Sequence, residues 1–472
     1  MDFLQAHLGT IYVVAEWAIR LAMVVVVPFR RSPEAARSWL LLVFFLPIPA
    51  LILYMLIGRP AYPKWRQQRF AGMPRRPEAE SAIARGVAEN LPDFEGREAL
   101  ATLVANLGHL PGTGGNAIAL IDDYDGVIDR LCADIDAARD HVHILVYIFA
   151  DDATGMRVIE ALGRAAARGV TCRVLIDALG SRPWADHVIA LLRKGGVQAA
   201  KALTIRPFRR DRADLRNHRK LIVVDGQTGY IGSQNIVARD FKPGIVNEEL
   251  VARVAGPVVA QIQSVFLADW YLETLELPDA PGLFPPIAAS DAATAQLLPS
   301  GPDYPVAGSE RLTVSMVYAA HRRVVLTTPY FIPDEGLLEA LQSAVLRGVE
   351  VRVVVSMVQD QWLVTHAQRS FYTELLRSGV RVFEYREKLL HAKHIVTDDD
   401  LIAIGSSNVD IRSFQLNAEA MLLIYGAGRI EGAARLNDYV TRSRELNQVE
   451  WSRRPLYHKV LENLARLISP LL

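Results

Sequence analysis

The chain carries one signature twice, and this duplication restricts the folds open to it more than any other feature. The first copy runs from Asn217-His218-Arg219-Lys220 through Asp225 to Gly232-Ser233-Gln234-Asn235. The second runs from His391-Ala392-Lys393-His394 through Asp398 to Gly405-Ser406-Ser407-Asn408. Both obey H-x-K-x4-D-x6-G-S-x-N with identical spacing, the mark of an internal structural repeat.

The surroundings repeat as well. Residues 143–149 form an apolar run of strand length, 154–168 an alanine-rich helix stopped by Gly169, and 171–176 a second strand. The second half answers with strand 324–328, helix 336–347 and strand 349–356. Arg168-Gly169-Val170 matches Arg347-Gly348-Val349, and Gly196-Val197 matches Gly379-Val380. Ahead of the first unit, 116–121 reads as a short strand and 129–140 as a helix. The alternation predicts an α/β fold with largely parallel sheets and helices on both faces. It gives two similar lobes related by a pseudo-twofold, at 107–276 and 305–472, the second ending in a helix. A proline-rich connector at 277–304 separates them, and a Pro-, Glu- and Arg-rich linker with some helix at 61–106 precedes them.

Residues 1–60 are a separate unit. Two apolar runs, 8–27 and 39–57, each approach the roughly 20 residues that cross a bilayer. The run 1–10 lacks the basic start of a signal peptide. Two spans joined by a short basic connection predict a membrane hairpin. Glu16 and Arg20 share a helical face and are expected to pair, and Pro47 and Pro49 predict a kink. Arginines in the connection (Arg30, Arg31, Arg37) and after the second run (Arg59, Arg66, Arg69) give opposing orientation signals, so the side is left open. The tail from residue 452 is amphipathic, with Leu456, Val460, Leu461, Leu464 and Leu467 on one face. It is expected to pack onto the lobes, with a membrane contact as the alternative.

Charge excludes little by itself: Lys+Arg and Asp+Glu both number 52. No basic stripe with interleaved aromatics points to nucleic acid. The two cysteines, Cys132 and Cys172, suit neither a disulfide framework nor a metal site, and are expected to be buried thiols.

Along a strand, His218 and Lys220 point to one face, as do His391 and Lys393. The Gly-Ser-x-Asn turns can bring Ser233, Asn235, Ser406 and Asn408 to the same region as phosphate-binding donors. Imidazole, ammonium, hydroxyl and carboxamide groups together suit a phosphodiester. Two such faces brought together give one site with two imidazoles. One attacks phosphorus and the other protonates the leaving alcohol, while Lys220, Lys393, Asn235 and Asn408 offset charge on the oxygens. Two lysines supply the positive charge, so no metal and no cofactor is expected. An attacking imidazole needs an orienting carboxylate, and Glu249 and Glu419 stand at similar offsets after the two copies. Asp225 and Asp398 complete the motif as catalytic candidates, although strand-end positions favour a turn-holding role. Of the histidines outside the repeat, only His394 is close enough to the signature to be a site candidate.

The duplicated motif resembles the phospholipase D superfamily. The N-terminal apolar pair, Asn217-His218-Arg219-Lys220, and the stretch from Ser407-Asn408-Val409-Asp410-Ile411-Arg412 to Asn417-Ala418-Glu419 resemble, within it, the bacterial cardiolipin synthases. That resemblance implies phosphatidyl transfer between two phosphatidylglycerols through a phosphohistidine, with His218 as nucleophile and His391 as acid and base. It also implies a bacterial inner-membrane enzyme, monomeric or homodimeric, whose partners are phospholipids and the bilayer. A membrane-bound phospholipase D producing phosphatidic acid would use the same residues. A nuclease gains nothing from two apolar spans, and a scaffold would not need two intact motifs.

Overall fold

The computed structural model describes residues 2–31, 33–58, 64–204, 214–280, 282–287, 289–304 and 307–468. The first half contributes strands β1 (Thr113–Ile121), β2 (His141–Val146), β3 (Thr171–Asp177), β4 (Gln198–Ala202), β5 (Leu221–Val224), β6 (Thr228–Gly232), β7 (Asn247–Glu248) and β8 (Val251–Ala255). The second contributes β9 (Ala293–Ser300), β10 (Arg323–Thr328), β11 (Glu350–Ser356), β12 (Arg381–Tyr385), β13 (Leu389–Leu390), β14 (His394–Thr397), β15 (Leu401–Gly405), β16 (Glu419–Tyr425) and β17 (Ser443–Glu445).

Fifteen of these run in the order β17-β12-β11-β10-β14-β15-β16-β9-β1-β8-β6-β5-β2-β3-β4. Apart from the edge strand β17, the order reads the same from either end once β1 is matched to β9, β2 to β10 and β5 to β14. The pseudo-twofold passes between β9 and β1, which pair antiparallel through Thr113 with Ala295 and Asn116 with Ala293. Within this sheet only β2-β3-β4 and β10-β11-β12 are parallel. The remaining pairs are antiparallel hairpins and meanders, so the sheet is mixed and the expected parallel sheet is confined to three strands per half.

Helices also cover a different set of faces than expected. Ile144, Val146, Val174 and Ile176 face an outer core with helices Tyr124–Ala137, Ala153–Ala167 and Ala185–Lys194. Their neighbours Leu145 and Leu175 face inward, into one core shared with Val325, Val354, Ile402 and Ile404 of the second half. Period-two alternation thus sends one face of each strand to its own helices and the other to the partner half. Helix Val258–Thr274 is embedded in the shared core, which is why it is apolar on nearly every side.

Two segments read as connectors are structural. Residues 61–106 contain helices α4 (Lys64–Ala71), α5 (Pro77–Glu89) and α6 (Glu98–Gly108). Leu100, Ala101 and Val104 of α6 belong to the second-half core. Arg66 of α4 is buried among Asp269, Glu273 and Asp303. Within 277–304, β9 is a central strand paired on both sides. Its Pro299 hid this, but it lies beyond the point where β1 diverges and is paired there with β16 alone.

At the N-terminus, α1 spans Asp2–Val26, and its Gly9–Val26 stretch is long and apolar enough to cross a membrane. The second apolar run is not one long helix. It forms α2 (Pro33–Phe45) and α3 (Pro47–Leu53), followed by a widened turn over Tyr54–Gly58. The break falls at Leu46, where Pro47 cannot continue the hydrogen-bond ladder. Glu16 and Arg20 pair at 3.3 Å as expected, and Arg20 Nε also donates to the carbonyl of Phe44 next to the break. Trp39 meets Tyr54 edge-on at 5.1 Å inside a small core between α1, α2 and α3. Cys172 is buried and Cys132 half-buried, both as free thiols.

Candidate active site

Each copy of the signature enters as an extended segment that pairs with the opposite half. The N–H of His218 donates to the carbonyl of Ala418, and the N–H of Ala418 donates to that of Arg216. In the mirror arrangement β13 pairs in parallel with β7, and the N–H of His391 donates to the carbonyl of Glu248. Each histidine is therefore laid beside the residue that precedes the other half's candidate glutamate.

The carboxylates cross over in consequence. His218 Nδ1 lies 3.0 Å from both oxygens of Glu419, and His391 Nδ1 lies 2.8 and 2.9 Å from those of Glu249. Sequence offset alone had left open which glutamate serves which histidine; each serves the histidine of the other half. With Nδ1–H held by a carboxylate, Nε2 is the reactive nitrogen in both rings. Both glutamates are fully buried. Burial opposes their charge, but the paired histidine and a lysine outweigh it and hold both below the ordinary glutamate range. Burial pushes His218 down to about 4 against the pull of Glu419, and His391 is lowered for the same reason. At neutral pH this leaves charged carboxylates and a neutral His218.

Lys220 and Lys393 are buried, and each ammonium donates to the carbonyl of its own motif histidine. Burial lowers them to about 8 and about 7, partly offset by both Glu249 and Glu419. Two lysines and two glutamates thus form one electrostatic cluster across the pseudo-twofold.

The Gly-Ser pairs do a different job from the one expected. A Cβ on Gly232 would sit 2.4 Å from the carbonyl oxygen of Leu250, and one on Gly405 2.0 Å from that of Ala420. This close approach lets Ser233 Oγ accept from Leu250 N–H at 3.0 Å and Ser406 Oγ from Ala420 N–H at 3.0 Å. Ser406 also donates to Glu419, and hydrogen bonding from Ser233 helps lower Glu249. Both serines are buried and fasten the glutamate-bearing strands; neither lines the cleft. Asn235 and Asn408 do line it. The Asn235 oxygen accepts from Ile148 N–H at 3.1 Å, which turns its amide nitrogen to the donor role.

Asp225 and Asp398, candidates for chemistry, lie away from the histidines. Asp225 accepts from the N–H groups of Arg139, Asp140 and His141 at the start of β2. Asp398 accepts from those of His321, Arg322 and Arg323 at the start of β10, and from Arg97, the residue just before α6. Burial works against the Asp398 charge, but these donors prevail and bring it to about 2. Both aspartates adopt positive φ, 52° and 54°, at the turn after the motif strand. They are backbone caps. His394 is buried on the opposite strand face, 5.3 Å from the ring of Tyr439, and belongs to the core.

The two histidines open onto one cleft of about 470 Å³, walled by residues of both halves. Among the described residues no His, Cys, Asp and Glu cluster has the makings of a metal site.

Comparison with known proteins agrees with this geometry. The family model "Cardiolipin synthase, PLD-like domain" matches residues 131–270 and 314–442, one match per half. Cardiolipin synthase A of Pectobacterium atrosepticum is 35% identical over 94% of both chains, and that of Serratia proteamaculans is 34% identical with the same coverage. The chain belongs to the phospholipase D-like cardiolipin synthase family. Its fold is shared with the crystal structure of phosphatidylserine synthase from Haemophilus influenzae. The TM-score is 0.60 at 14% identity, covering 79% of this chain and all of the other.

The family site includes residues that the motif did not single out. The Tyr147 ring meets His218 edge-on at 4.8 Å and has Lys220 over it at 5.3 Å. Arg216, Lys242 and Arg412 add cationic character to the cleft walls. Arg219, the variable position of the first motif, donates to the Glu419 carbonyl at 3.0 Å and grips Asp269 at 2.6 and 2.7 Å. Asp269 in turn lies 3.8 Å from Arg66, which ties α4 to the backbone of Glu419. A buried arginine at a position the two copies do not share was the available signal for this link.

Proposed function

We propose that this chain is a membrane-bound cardiolipin synthase that joins two phosphatidylglycerols and releases glycerol. The observation that carries the reading is the crossed pair of Glu-held histidines opening onto a single cleft. In the first step His218 Nε2 attacks the phosphorus of one phosphatidylglycerol. The P–N bond forms, the P–O bond to the headgroup glycerol breaks, and His391, entering the step as an imidazolium held at Nδ1 by Glu249, gives that oxygen its Nε2 proton. In the second step His391 takes the proton from a headgroup hydroxyl of another phosphatidylglycerol. The resulting oxygen displaces His218 and forms cardiolipin. Lys220 and Lys393, with Asn235 and Asn408, stabilise the charge on the non-bridging oxygens.

The assignment of His218 as nucleophile is supported by its burial, which lowers its pKa to about 4 and keeps Nε2 unprotonated. The partner in the second step is a lipid alcohol; water in its place would give phosphatidic acid. We further read α1 with α2 and α3 as a hairpin anchor in the inner membrane of a bacterium. Its support is the exposed apolar surface of α1, including Ile11, Val14, Leu21 and Val25, together with its packing against α2 and α3. One chain contains both halves of the site, so a monomer suffices and a homodimer is compatible.

The test is product analysis with labelled phosphatidylglycerol in mixed micelles. Cardiolipin that reverts to phosphatidylglycerol on adding glycerol supports the transferase. Phosphatidic acid as the main product would replace it with the hydrolase.

A further inference from the structure

The last helix, Leu456–Ile468, is turned inside out for a surface helix in water. Its buried side is polar: Glu462 is 2% exposed and pairs with Arg454 at 2.6 Å and Arg369 at 3.2 Å. Its outer side is apolar, with Leu456, Tyr457, Val460, Leu464 and Leu467 each at least half exposed. The sequence placed Leu456, Val460, Leu461, Leu464 and Leu467 on one face and expected that face to pack onto the lobes. The structure instead holds the helix against Trp362–Arg377 through Glu462 and Ala465 and leaves most of the leucine stripe outside. A stripe of this kind, held outward by a charged anchor, is suited to a second apolar phase.

What covers the stripe follows from its neighbours. A groove of about 880 Å³ runs beside it. One wall is the helix itself, through Leu456, Val460, Leu464 and Leu467. Another includes Arg37 and Ser38 of α2, from the apolar N-terminal unit more than 400 residues away in sequence. The groove also touches Ile332 and Ile411, and both of these residues line the catalytic cleft. The groove therefore adjoins the candidate membrane anchor at one side and, across Ile332 and Ile411, the catalytic cleft at the other. Its walls carry Arg37, Lys459 and Arg466 together with Glu335, Glu339 and Glu374. A second copy of the chain would cover the stripe but would not explain why the groove adjoins the catalytic cleft.

We propose that the C-terminal helix lies in the bilayer interface as a second membrane contact. The groove between it and α2 receives the acyl chains of the phospholipid whose phosphate sits at His218 and His391. The acyl-chain assignment rests on the phosphatidyl-transfer reading, whereas the membrane contact of the helix is read independently of it.

The full chain, with Cys132→Ala and Cys172→Ala, would carry a spin label at Leu464→Cys or, as a solvent control, at Glu450→Cys. In phosphatidylglycerol–phosphatidylcholine vesicles the label at 464 should collide with dissolved oxygen in preference to a water-soluble nickel chelate, and the label at 450 should show the reverse. In parallel, Val460→Glu with Leu464→Glu should lower the ratio of turnover on long-chain to dihexanoyl phosphatidylglycerol at least tenfold. A label at 464 as open to nickel as that at 450, or an unchanged ratio, would overturn the proposal. If the parent chain transferred neither lipid, the phosphatidyl-transfer reading would fail, and the label would still decide the position of the helix.

Discussion

The two halves carry the same scaffold but do not give their histidines the same surroundings. In the first half the strand-end residue is Asp177, whose carboxylate accepts from the N–H groups of Leu179, Gly180 and Asn217 just before His218. Burial raises Asp177 to about 6. In the second half the matching residue is Ser356, whose hydroxyl accepts from Leu390 N–H just before His391. Tyr147 lies edge-on to His218. The equivalent position in the second half is Pro329, and the residue after it, Tyr330, donates to Asp360 at 2.7 Å, while Asp360 also pairs with Lys242. Duplication supplied two equivalent frames, and substitutions at the strand ends gave the two imidazoles different neighbours. Such inequality is what a site needs when one imidazole must attack and the other must deliver a proton.

Removing the histidines gives the largest effects. His218→Ala and His391→Ala should each lower transfer from phosphatidylglycerol by about 10³-fold or more. They should part company on a substrate with a nitrophenol leaving group, which needs no acid. There His391→Ala should release nitrophenol in a burst, and His218→Ala should not. Equal behaviour of the two would break the comparison.

The crossed glutamates come next. Glu419→Gln should cost roughly 10²-fold and behave as a weaker His218 variant on the nitrophenyl substrate, while Glu249→Gln should track His391. If each glutamate followed the histidine of its own half, the crossed geometry would be contradicted.

The pH dependence of kcat/KM sharpens the same contrast. On the acid side activity should fall as His218, lowered to about 4, takes up a proton and can no longer attack. On the alkaline side it should fall as Lys393, at about 7, and Lys220, at about 8, lose their charge. A profile without an alkaline limb would argue against a role for the lysines in holding phosphate charge.

The smallest effects belong to the caps. Asp225→Asn and Asp398→Asn should each lower unfolding free energy by about 1–3 kcal/mol, read by denaturant titration, with kcat of the folded enzyme largely kept. The Asp398 contribution should depend on pH. Its folded pKa of about 2 lies below the ordinary aspartate value of about 3.9. Its stabilisation is therefore complete above the unfolded value and lost as pH falls toward 2. A large kcat loss at full stability would return these residues to the chemistry.

Much of this was legible because the signature is short and local. Strand spacing placed His218 with Lys220 and His391 with Lys393, and the local strand–helix–strand order located six elements within a few residues. What escaped was long-range. The pairing of Glu419 with His218 depends on an inter-lobe bridge at Asn217 and Ala418, which no offset within either half encodes. Ser233 and Ser406 looked like phosphate donors because hydroxyls suit phosphate, but the clash that requires Gly232 and Gly405 comes from a neighbouring strand. Helix α6 was hidden in a charged segment whose apolar side finds its partners in the distant second half.

The central claim is most directly tested by rapid quenching during turnover of phosphatidylglycerol labelled at phosphorus, followed by mapping of the labelled peptide. A transient label on His218 that accumulates when enzyme is in excess over the labelled lipid and is discharged by added glycerol is the predicted result. Label on His391, or full turnover with no labelled histidine at any time, would contradict the assignment of His218 as the nucleophile of a two-histidine site.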